Sequence, residues 1–478
     1  MERVVDLNRW QKEHIKSEHD LKLLFHEVSA CYNAQPYPDY QSRVEQLKLL
    51  KSALLAKQQI LADALSEDYG FRSQFDSVIC DILPAVSHIN YTIKHLKKWM
   101  KPSRRSAGLL LTPSSVSVEY QPLGVVGVIV PWNFPIVLSI APIVTAIAAG
   151  NRVMVKLSEH TPHTNQVLSE IFGELEKQIY SVEGEADIAS HFSQLPFDHL
   201  LFTGSTPVGR LVAQAAAKNL TPVTLELGGK SPTIVDDKIE LRRAVDAVML
   251  GKSVNAGQIC VAPDYVLVPK GKELAFIRLY LERYKSLYID KKGADSVTQI
   301  INDAQYQRLT QLLEDARTKG AGIHTIEGVE VSGRRMLPHL ITGTTEEMLV
   351  MNQEIFGPIL PVIGYQHLNE VFAYINSKPR PLALYLMSDD KVLQRQVIEH
   401  THSGGVAIND TLLHVAAEDA PFGGIGESGL GHYHGIEGFM TFSKAKTVLM
   451  TPSWLPRSRL ILKYRKLAQS ALAKLFIR

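Results

Sequence analysis

Short runs of β-branched residues alternate with helical segments from Gly124 onward, and this alternation constrains the fold more than any other feature of the chain. A strand, a helix and a second strand in succession form a βαβ unit, whose strands lie parallel with helices on the sheet faces. The segments predicted as strands before residue 229 are GVVGVIV, RVMVKLS, HLLFTG and PVTLEL. The sequence therefore predicts an α/β fold that is built on a parallel sheet.

A second alternating series follows Gly229 and predicts a second α/β domain. We predict helices at 244–257 and at about 272–288, together with the strands PTIVDD, YVLVPK, LPVIGY, LALYLMS and GGVAIND. The domain boundary is placed at Gly228 and Gly229, because two adjacent glycines permit a sharp change of direction. Before residue 100 the chain is predicted to be helical, since apolar residues recur at helical spacing.

An apolar stretch without charged residues runs from Tyr120 to Asn151 and has the composition of a membrane span. Pro131, Pro135 and Pro142 interrupt it, and proline fits a connection better than the interior of a strand or helix. We therefore predict a buried strand, a tight PWNFP loop and a buried helix rather than a transmembrane segment.

Charge and cysteine content exclude some classes of protein. The chain of 478 residues has 51 Lys and Arg against 49 Asp and Glu, so no global charge favours nucleic acid as a partner. Three scattered cysteines, Cys31, Cys80 and Cys260, do not make a disulfide framework or a zinc cluster. We expect a reducing compartment, and a cytoplasmic location, because the first residues also lack the apolar region of a signal peptide.

Two residues are candidates for covalent chemistry. Cys260 lies among small and polar residues in SVNAGQICVAP, which suits a loop that a ligand approaches closely, although a lone cysteine is more often structural. Glu226 ends the predicted strand TLEL, and the carboxyl ends of parallel strands form the ligand crevice of α/β proteins. Its apolar neighbours predict a partly desolvated carboxylate with a raised pKa, as a general base requires.

Weaker signals point to a nucleotide. FTGSTPVG, from Phe202 to Gly209, is a glycine-bearing turn between a strand and a helix, where backbone N–H groups can receive a pyrophosphate. Lys156 and Glu159 follow another strand end and can contact ribose or phosphate. The histidine pairs His160/His163 and His432/His434 have no partner at a recognised ligand spacing, so we predict no metal site.

Seven motifs occur once each and in one order along the chain: PWNFP, KLSE, FTGSTPVG, LELGGKSP, GQIC, EIFGP and PFGGIGESGLG. Taken together, they resemble the aldehyde dehydrogenase superfamily. INDTLLH and GLGHYHGIEGFMTFSKAK look most like the class 3 branch and, within it, the coniferyl aldehyde dehydrogenases. The resemblance covers the chain apart from its N-terminal segment and its basic C-terminal tail.

The resemblance implies a role for each matched residue. It implies that Cys260 attacks the aldehyde carbonyl, while Asn133 and the Cys260 backbone N–H hold the developing oxyanion. Glu226 is implied to activate the water that hydrolyses the thioester on Cys260. The implied cofactor is NAD, with NADP possible, in a variant Rossmann domain. The residues implied to bind it are Trp132, Lys156, Glu159, Gly204, Ser205, Gly209, Glu354 and Phe356.

Glu159 favours NAD in this assignment, because a carboxylate near the ribose 2′ position repels a 2′-phosphate. Two positions depart from the common pattern of the family. Leu157 follows Lys156 where proline is frequent, and Ile259 precedes Cys260 where threonine or cysteine is frequent. Both departures concern the shape of the site more than its chemistry.

The resemblance also implies the domain organisation. Residues 1–107 and 123–228 form the NAD(P)-binding domain, and residues 229–434 form the catalytic domain. Residues 108–122 and 435–452 form a small β-arm that adds strands to a partner's sheet, which implies a homodimer or a larger oligomer.

The C-terminal tail, 453–478, has seven basic and no acidic residues and is amphipathic if it is helical. Such a helix can lie on an anionic membrane surface, where each Lys or Arg adds about 1 kcal/mol of binding. The alternative is a solvated tail or one that packs in a dimer.

Several alternatives for the function remain open from the sequence. The expected substrate is an aromatic, coniferyl-type aldehyde, and a medium- or long-chain aliphatic aldehyde is the alternative. A cysteine acyl hydrolase would use Cys260 with a histidine base, but no histidine has a readable link to that cysteine. A catalytically idle scaffold is disfavoured because both Cys260 and Glu226 are present.

Overall fold

The computed structural model describes residues 17–175, 177–289 and 294–476. Residues 1–16 of the predicted NAD(P)-binding domain and 477–478 of the tail lie outside the described residues. The chain before residue 100 is helical. Its helices are α1 (Glu18–Ala34), α2 (Tyr40–Ala56), α3 (Gln58–Tyr69), α4 (Gln74–Ser77), a π-helix (Val78–Ile82) and α5 (Leu83–Trp99).

Strands and helices then alternate along the rest of the chain, as the sequence predicts. The elements up to Glu226 are β1 (Ser103–Arg105), α6 (Gly108–Leu111), β2 (Ser115–Pro122), β3 (Val125–Ile129), α7 (Val137–Ala149), β4 (Arg152–Lys156), α8 (Pro162–Gly173), β5 (Ile179–Val182), α9 (Ala186–Ser193), β6 (His199–Thr203), α10 (Thr206–Ala217) and β7 (Val223–Glu226). The elements after it are β8 (Pro232–Val235), α11 (Leu241–Ser253), a 3₁₀ turn (Val254–Gly257), β9 (Tyr265–Pro269), α12 (Glu273–Tyr288), α13 (Asp303–Thr318), β10 (Gly322–His324), β11 (His339–Thr342), α14 (Leu349–Asn352), β12 (Ile359–Tyr365), α15 (Leu368–Asn376), β13 (Ala383–Met387), α16 (Lys391–His400), β14 (Gly405–Ile408), a second 3₁₀ turn (Leu413–Ala416), β15 (Gly429–Leu430), α17 (Gly435–Thr441), β16 (Ser443–Met450), α18 (Arg457–Lys463) and α19 (Arg465–Phe476).

The first sheet has six strands in the order β15-β7-β6-β3-β4-β5, all parallel except β15. Its β3, β4, β6 and β7 residues are almost entirely buried, because helices cover both faces. In this order β3 lies between β4 and β6. The chain passes from β3 to β4 on one side and later returns to form β6 on the other side of β3. The carboxyl ends of β3 and β6 therefore border the switch point at which α/β sheets bind ligands.

The second sheet has seven strands in the order β10-β11-β12-β9-β8-β13-β14. All neighbours are parallel except β10 and β11. Helices α11 and α12 pack on one face, while α15 and α16 pack on the other. One strand of the segment 229–434 departs from this sheet, since Gly429–Leu430 pairs antiparallel with Glu226 and Leu225 at the edge of the first sheet.

The apolar stretch 120–151 forms the end of β2, then β3, a loop and α7, and most of its buried side chains pack on the two faces of the first sheet. No helix within the described residues combines the length and the apolar character needed to cross a bilayer. The loop joins two cores, because Phe134 packs in the core of the second sheet and Ile136 packs in that of the first.

A separate three-stranded sheet has the order β1-β2-β16. Strands β2 and β16 pair antiparallel over their full length, from Ser443 opposite Pro122 to Met450 opposite Ser115. Helices α18 and α19 follow this sheet. Helix α18 contributes no buried side chain, and the described side chains of α19 are exposed or half-buried.

Candidate active site

Glu226 is the last residue of β7, where Thr203 of β6 and Gly429 of β15 flank it. Its side chain is 3% exposed, and neither carboxylate oxygen has a hydrogen-bond partner among the described residues. Burial raises the pKa of Glu226 well above its ordinary value. A buried carboxylate without a partner in the protein is suited to accept a proton from a water molecule.

Cys260 follows a strained turn at the end of α11. Asn255, Ala256 and Gly257 have φ angles of 48°, 51° and 72°, so three successive residues are in the left-handed region. A Cβ on Gly257 would lie 2.7 Å from the Gly357 carbonyl oxygen, which leaves glycine as the only fit. The turn passes close to Gly357 and leaves Cys260 half-buried.

Gln258 fixes the shape of this turn from inside the protein. Its side-chain amide donates to the carbonyl oxygens of Asn255 (3.0 Å) and Gln299 (3.1 Å), and its Oε1 accepts from the Ile301 N–H (3.0 Å). The side chain is fully buried, so these bonds satisfy groups that water does not reach. The segment that carries Cys260 is therefore held rigidly.

The Cys260 thiol is protonated at neutral pH in this structure. Burial raises the pKa of Cys260 to about 12, and the charges of Glu354 and Glu226 act in the same direction. The thiol must lose its proton before it can attack as a thiolate.

Asn133 lies in the loop between β3 and α7 and is 3% exposed. Its side-chain Nδ2 donates to the carbonyl oxygen of Gln258 at 3.1 Å, two residues before Cys260. A carboxamide has two N–H groups, so the second remains for the oxygen of a bound carbonyl compound. This bond holds Asn133 against the segment that carries Cys260.

The expected ribose contacts lie at the end of β4. The Lys156 Nζ is 3.1 Å from the Glu159 Oε2, and the lysine side chain is almost fully buried. Burial acts to raise the pKa of Glu159, but its own backbone N–H and Lys156 lower it overall. Glu159 is therefore a carboxylate, and this donor and acceptor together fit the hydroxyl groups of a ribose.

The turn after β6 has the form of a phosphate-binding turn. Ser205 precedes α10 and makes no side-chain cap, so the first N–H groups of this helix of 12 residues lack that partner. A Cβ on Gly204 would lie 2.5 Å from the Phe202 ring, and one on Gly209 would lie 2.6 Å from Leu227. Both glycines are required by close packing, which brings the backbone near enough for a pyrophosphate.

Glu354, Phe356 and Trp132 meet on the other side of the crevice. A Cβ on Gly228 would lie 2.2 Å from the Glu354 carboxylate oxygens, so Glu354 lies directly against the Gly228–Gly229 turn. Burial and Asp264 raise the pKa of Glu354 to about 7. The Phe356 ring packs edge-to-face on Trp132 with centroids 5.3 Å apart.

Some residues of the site are not apparent from the sequence. Tyr69 ends α3 and Arg72 lies in the connection to α4, and both donate to the Asn133 carbonyl oxygen, at 3.2 and 2.9 Å. Tyr433 is almost fully buried. Burial is the main cause of its raised pKa, and the charges of Glu226 and Cys260 raise it further. Neither helical periodicity nor a motif indicates these contacts. Within the described residues, no group of three or more metal-binding side chains comes together.

The fold and the site define an α/β enzyme with a cysteine and a buried carboxylate at the junction of two parallel sheets. The model of the aldehyde dehydrogenase family matches residues 28–448. The chain belongs to this family, whose members oxidise aldehydes with NAD or NADP. Membership favours aldehyde oxidation over the acyl hydrolase and the scaffold.

Similar proteins agree with this assignment. A Pseudomonas aeruginosa protein described as "probable coniferyl aldehyde dehydrogenase" is 50% identical over 460 residues, which cover 96% of each chain. The coniferyl aldehyde dehydrogenase of a Pseudomonas species is 44% identical over 415 residues, covering 85% of this chain and 86% of that one. The substrate-bound structure of Staphylococcus aureus AldH superimposes with a TM-score of 0.87 at 36% identity, covering 94% of this chain and 99% of that one.

Proposed function

We propose that this aldehyde dehydrogenase oxidises aromatic aldehydes of the coniferyl type to carboxylic acids, with Cys260 as the nucleophile. The observation that carries the mechanism is the bond from Asn133 to the Gln258 carbonyl oxygen, which holds Asn133 against the Cys260 segment, while the Glu226 carboxylate, unpartnered among the described residues, is buried at the end of β7. The substrate class is supported by the relatives at 50%, 44% and 42% identity, which are named for coniferyl aldehyde.

In the first half of the reaction, the Cys260 sulfur attacks the aldehyde carbon once its proton has been removed. The free N–H of Asn133 and the Cys260 backbone N–H donate to the oxygen as it becomes negative. Loss of a hydride from the resulting thiohemiacetal leaves a thioester on Cys260. In the second half, Glu226 takes a proton from water, and the hydroxide so formed cleaves the thioester to release the acid.

The residues present fit a nicotinamide dinucleotide, which accepts the hydride when it is bound. Lys156 and Glu159 would hold the adenosine ribose, and the Gly204–Ser205 turn with Gly209 beneath it would hold the pyrophosphate. Glu354, Phe356 and Trp132 would hold the nicotinamide ribose. We propose a preference for NAD, because the ionised Glu159 repels a 2′-phosphate.

The substrate proposal is tested by kcat/KM for two aldehyde series, each measured with NAD and with NADP. Coniferaldehyde and cinnamaldehyde represent the aromatic series, while hexanal and decanal represent the aliphatic one. We expect kcat/KM to be at least about tenfold higher for the aromatic series. A higher value for decanal would establish the aliphatic alternative and overturn the substrate assignment, while leaving aldehyde oxidation itself intact.

We propose the domain division given by the sequence, with 1–107 and 123–228 binding the cofactor and 229–434 carrying the nucleophile. The arm, 108–122 and 435–452, is proposed to join a second copy of the chain. Among the described strands, β16 pairs only with β2, and an uncovered edge of eight residues is a ready site for a partner strand. A homodimer follows, and light scattering in solution tests it.

The basic tail is proposed to contact an anionic membrane surface. Leu460, Ile461 and Leu467 are exposed in α18 and α19, beside several basic side chains and no acidic one. Exposed apolar residues beside positive charge fit the boundary of anionic lipids. We place the protein in the cytoplasm, because Cys31, Cys80 and Cys260 are all free.

A further inference from the structure

Arg72 is a buried arginine in the connection between α3 and α4, far along the chain from the nucleophile. The residue as a whole is 2% exposed, and its guanidinium carbon lies 5.0 Å from the Tyr69 ring centre and 4.8 Å from that of Phe134. The guanidinium is thus held between two aromatic rings, an arrangement that stabilises a desolvated cation. From there Nη1 donates to the Asn133 carbonyl oxygen at 2.9 Å.

Asp81 of the π-helix is the counter-ion of Arg72. The two side chains have no solvent exposure, and Nη2 of Arg72 is 3.7 Å from Oδ2 of Asp81. The other carboxylate oxygen accepts from the Val137 N–H at 2.6 Å, at the first residue of α7. Since Ile136 cannot cap this helix, Asp81 supplies the cap from another element. The Arg72–Asp81 pair therefore holds both Asn133 and the beginning of α7.

The loop around Asn133 is held on both sides. The Asn133 backbone carbonyl oxygen accepts from Tyr69 Oη (3.2 Å), Arg72 (2.9 Å) and Asn255 Nδ2 (3.2 Å). The Asn133 Nδ2 in turn donates to the Gln258 carbonyl oxygen. Arg72 is the charged donor of the three, and hydrogen bonds from a charged group are the stronger ones. Without it the buried carbonyl keeps only neutral donors, and the direction of the free Asn133 N–H is less well determined.

We propose that Arg72, held in place by Asp81, is a positioning residue that aims the Asn133 side-chain amide at the carbonyl oxygen of the aldehyde. The hydrogen bond from Arg72 goes to Asn133, so we expect Arg72 to contribute to the rate of hydride release and not to cofactor affinity. This inference rests on the proposed oxyanion role of Asn133. A displacement of such a donor by about 1 Å is enough to cost about 100-fold in rate.

A double-mutant cycle tests the proposal. The variants are Arg72→Met, Asn133→Ala and the double variant, and the readout is the single-turnover rate of NADH formation with saturating aldehyde. We expect Asn133→Ala to lose about 100- to 1000-fold and Arg72→Met about 10- to 100-fold. In the Asn133→Ala background, Arg72→Met should change the rate about twofold or less, because the group it positions is absent.

The dissociation constant for NAD should stay within about twofold of wild type in each variant. A substitution that simply unfolded the protein would weaken NAD binding as well, so this measurement separates the two cases. Arg72→Lys keeps the charge and should recover part of the rate. Arg43→Gln is the matched control, because Arg43 is equally buried and donates to the carbonyl oxygens of Pro38 and Ala148, away from the site. It should lower the thermal midpoint without slowing NADH formation in the folded protein.

Each outcome decides one point. Equal losses from Arg72→Met with and without Asn133 would overturn the positioning role. A wild-type rate for Asn133→Ala would instead refute the oxyanion role proposed above. If Arg72→Met does not fold, Asp81→Asn repeats the cycle, since the amide oxygen still accepts from Val137 while the counter-charge is lost. It should slow the reaction about 3- to 10-fold in the wild-type background only.

Discussion

The Asn133 side-chain amide donates to the Gln258 carbonyl oxygen over 3.1 Å, and this single bond links the loops of two different sheets. Asn133 follows β3 of the first sheet, while Gln258 precedes β9 of the second sheet, which pairs with β8. The proposed oxyanion donor and the proposed nucleophile are therefore fixed relative to each other by the protein before any substrate arrives, which is the preorganisation that catalysis requires.

Cys260→Ser should abolish aldehyde oxidation and leave NAD affinity nearly unchanged, because a serine hydroxyl ionises far less readily than a thiol. The measurements are kcat by NADH absorbance and NAD affinity by calorimetry. Cys31→Ser is the control, since Cys31 lies beside Tyr180, away from the site, and should retain full activity. Retention of more than about a tenth of kcat by Cys260→Ser would contradict the covalent mechanism.

Glu226→Gln should stop the enzyme after hydride release, because a glutamine cannot take the proton from water. Rapid mixing should give a burst of about one NADH per site and then slow turnover. In wild type, deacylation should slow as pH falls through the raised pKa of Glu226, since the base is then protonated. Glu399→Gln, at an exposed glutamate of α16, should behave as wild type. A variant without a burst would place Glu226 before hydride release.

Glu354→Gln should speed alkylation of Cys260 by iodoacetamide in the cofactor-free protein. The Glu354 charge helps to hold the pKa of the thiol high, so its removal increases the thiolate fraction. We expect the alkylation rate to increase about threefold to tenfold at pH about 9. Mass spectrometry of the Cys260 peptide measures this rate. At a pH well below the Glu354 pKa of about 7, the Glu354 carboxyl group is neutral in wild type. The alkylation rates of wild type and Glu354→Gln should therefore converge at that pH. Equal rates at alkaline pH would exclude this coupling.

Glu159→Gln should raise kcat/KM for NADP relative to NAD by about tenfold, because it removes the charge that repels a 2′-phosphate. The ratio of the two kcat/KM values is the measurement, with a single aldehyde at a fixed concentration. Glu170→Gln is a suitable control, since Glu170 is an exposed glutamate of the following helix and pairs with Lys57. An unchanged ratio would mean that the adenosine ribose lies elsewhere.

Reversing two charges of the tail, with Arg459→Glu and Lys463→Glu, should reduce co-sedimentation with anionic vesicles. Wild-type binding should also weaken between about 50 and about 500 mM salt, because screening shortens the reach of the charges. Neither residue makes a side-chain ion pair within the described part of the chain, and Arg457, which donates to the Leu111 carbonyl oxygen, is left in place. Unchanged sedimentation with an altered oligomeric state would show that the tail packs against protein instead.

Much of the fold is predictable because its signals are local. The alternation of strands and helices after Gly124 repeats within a few residues, and the structure has a strand in each of the predicted segments. Boundaries are less well predicted. The helix predicted at 244–257 instead runs from Leu241 to Ser253 and gives way to the 3₁₀ turn Val254–Gly257.

The sequence by itself determined the two α/β units, the strand-end position of Glu226 and the loop position of Cys260, because periodicity and motifs act over short stretches of chain. Only the tertiary structure decided that Arg72 holds a carbonyl 61 residues away and that Gly429–Leu430 joins the first sheet. It also decided that the Cys260 thiol has a raised pKa. These properties arise from burial and from charges on separate elements, and they exist only when both sheets pack together.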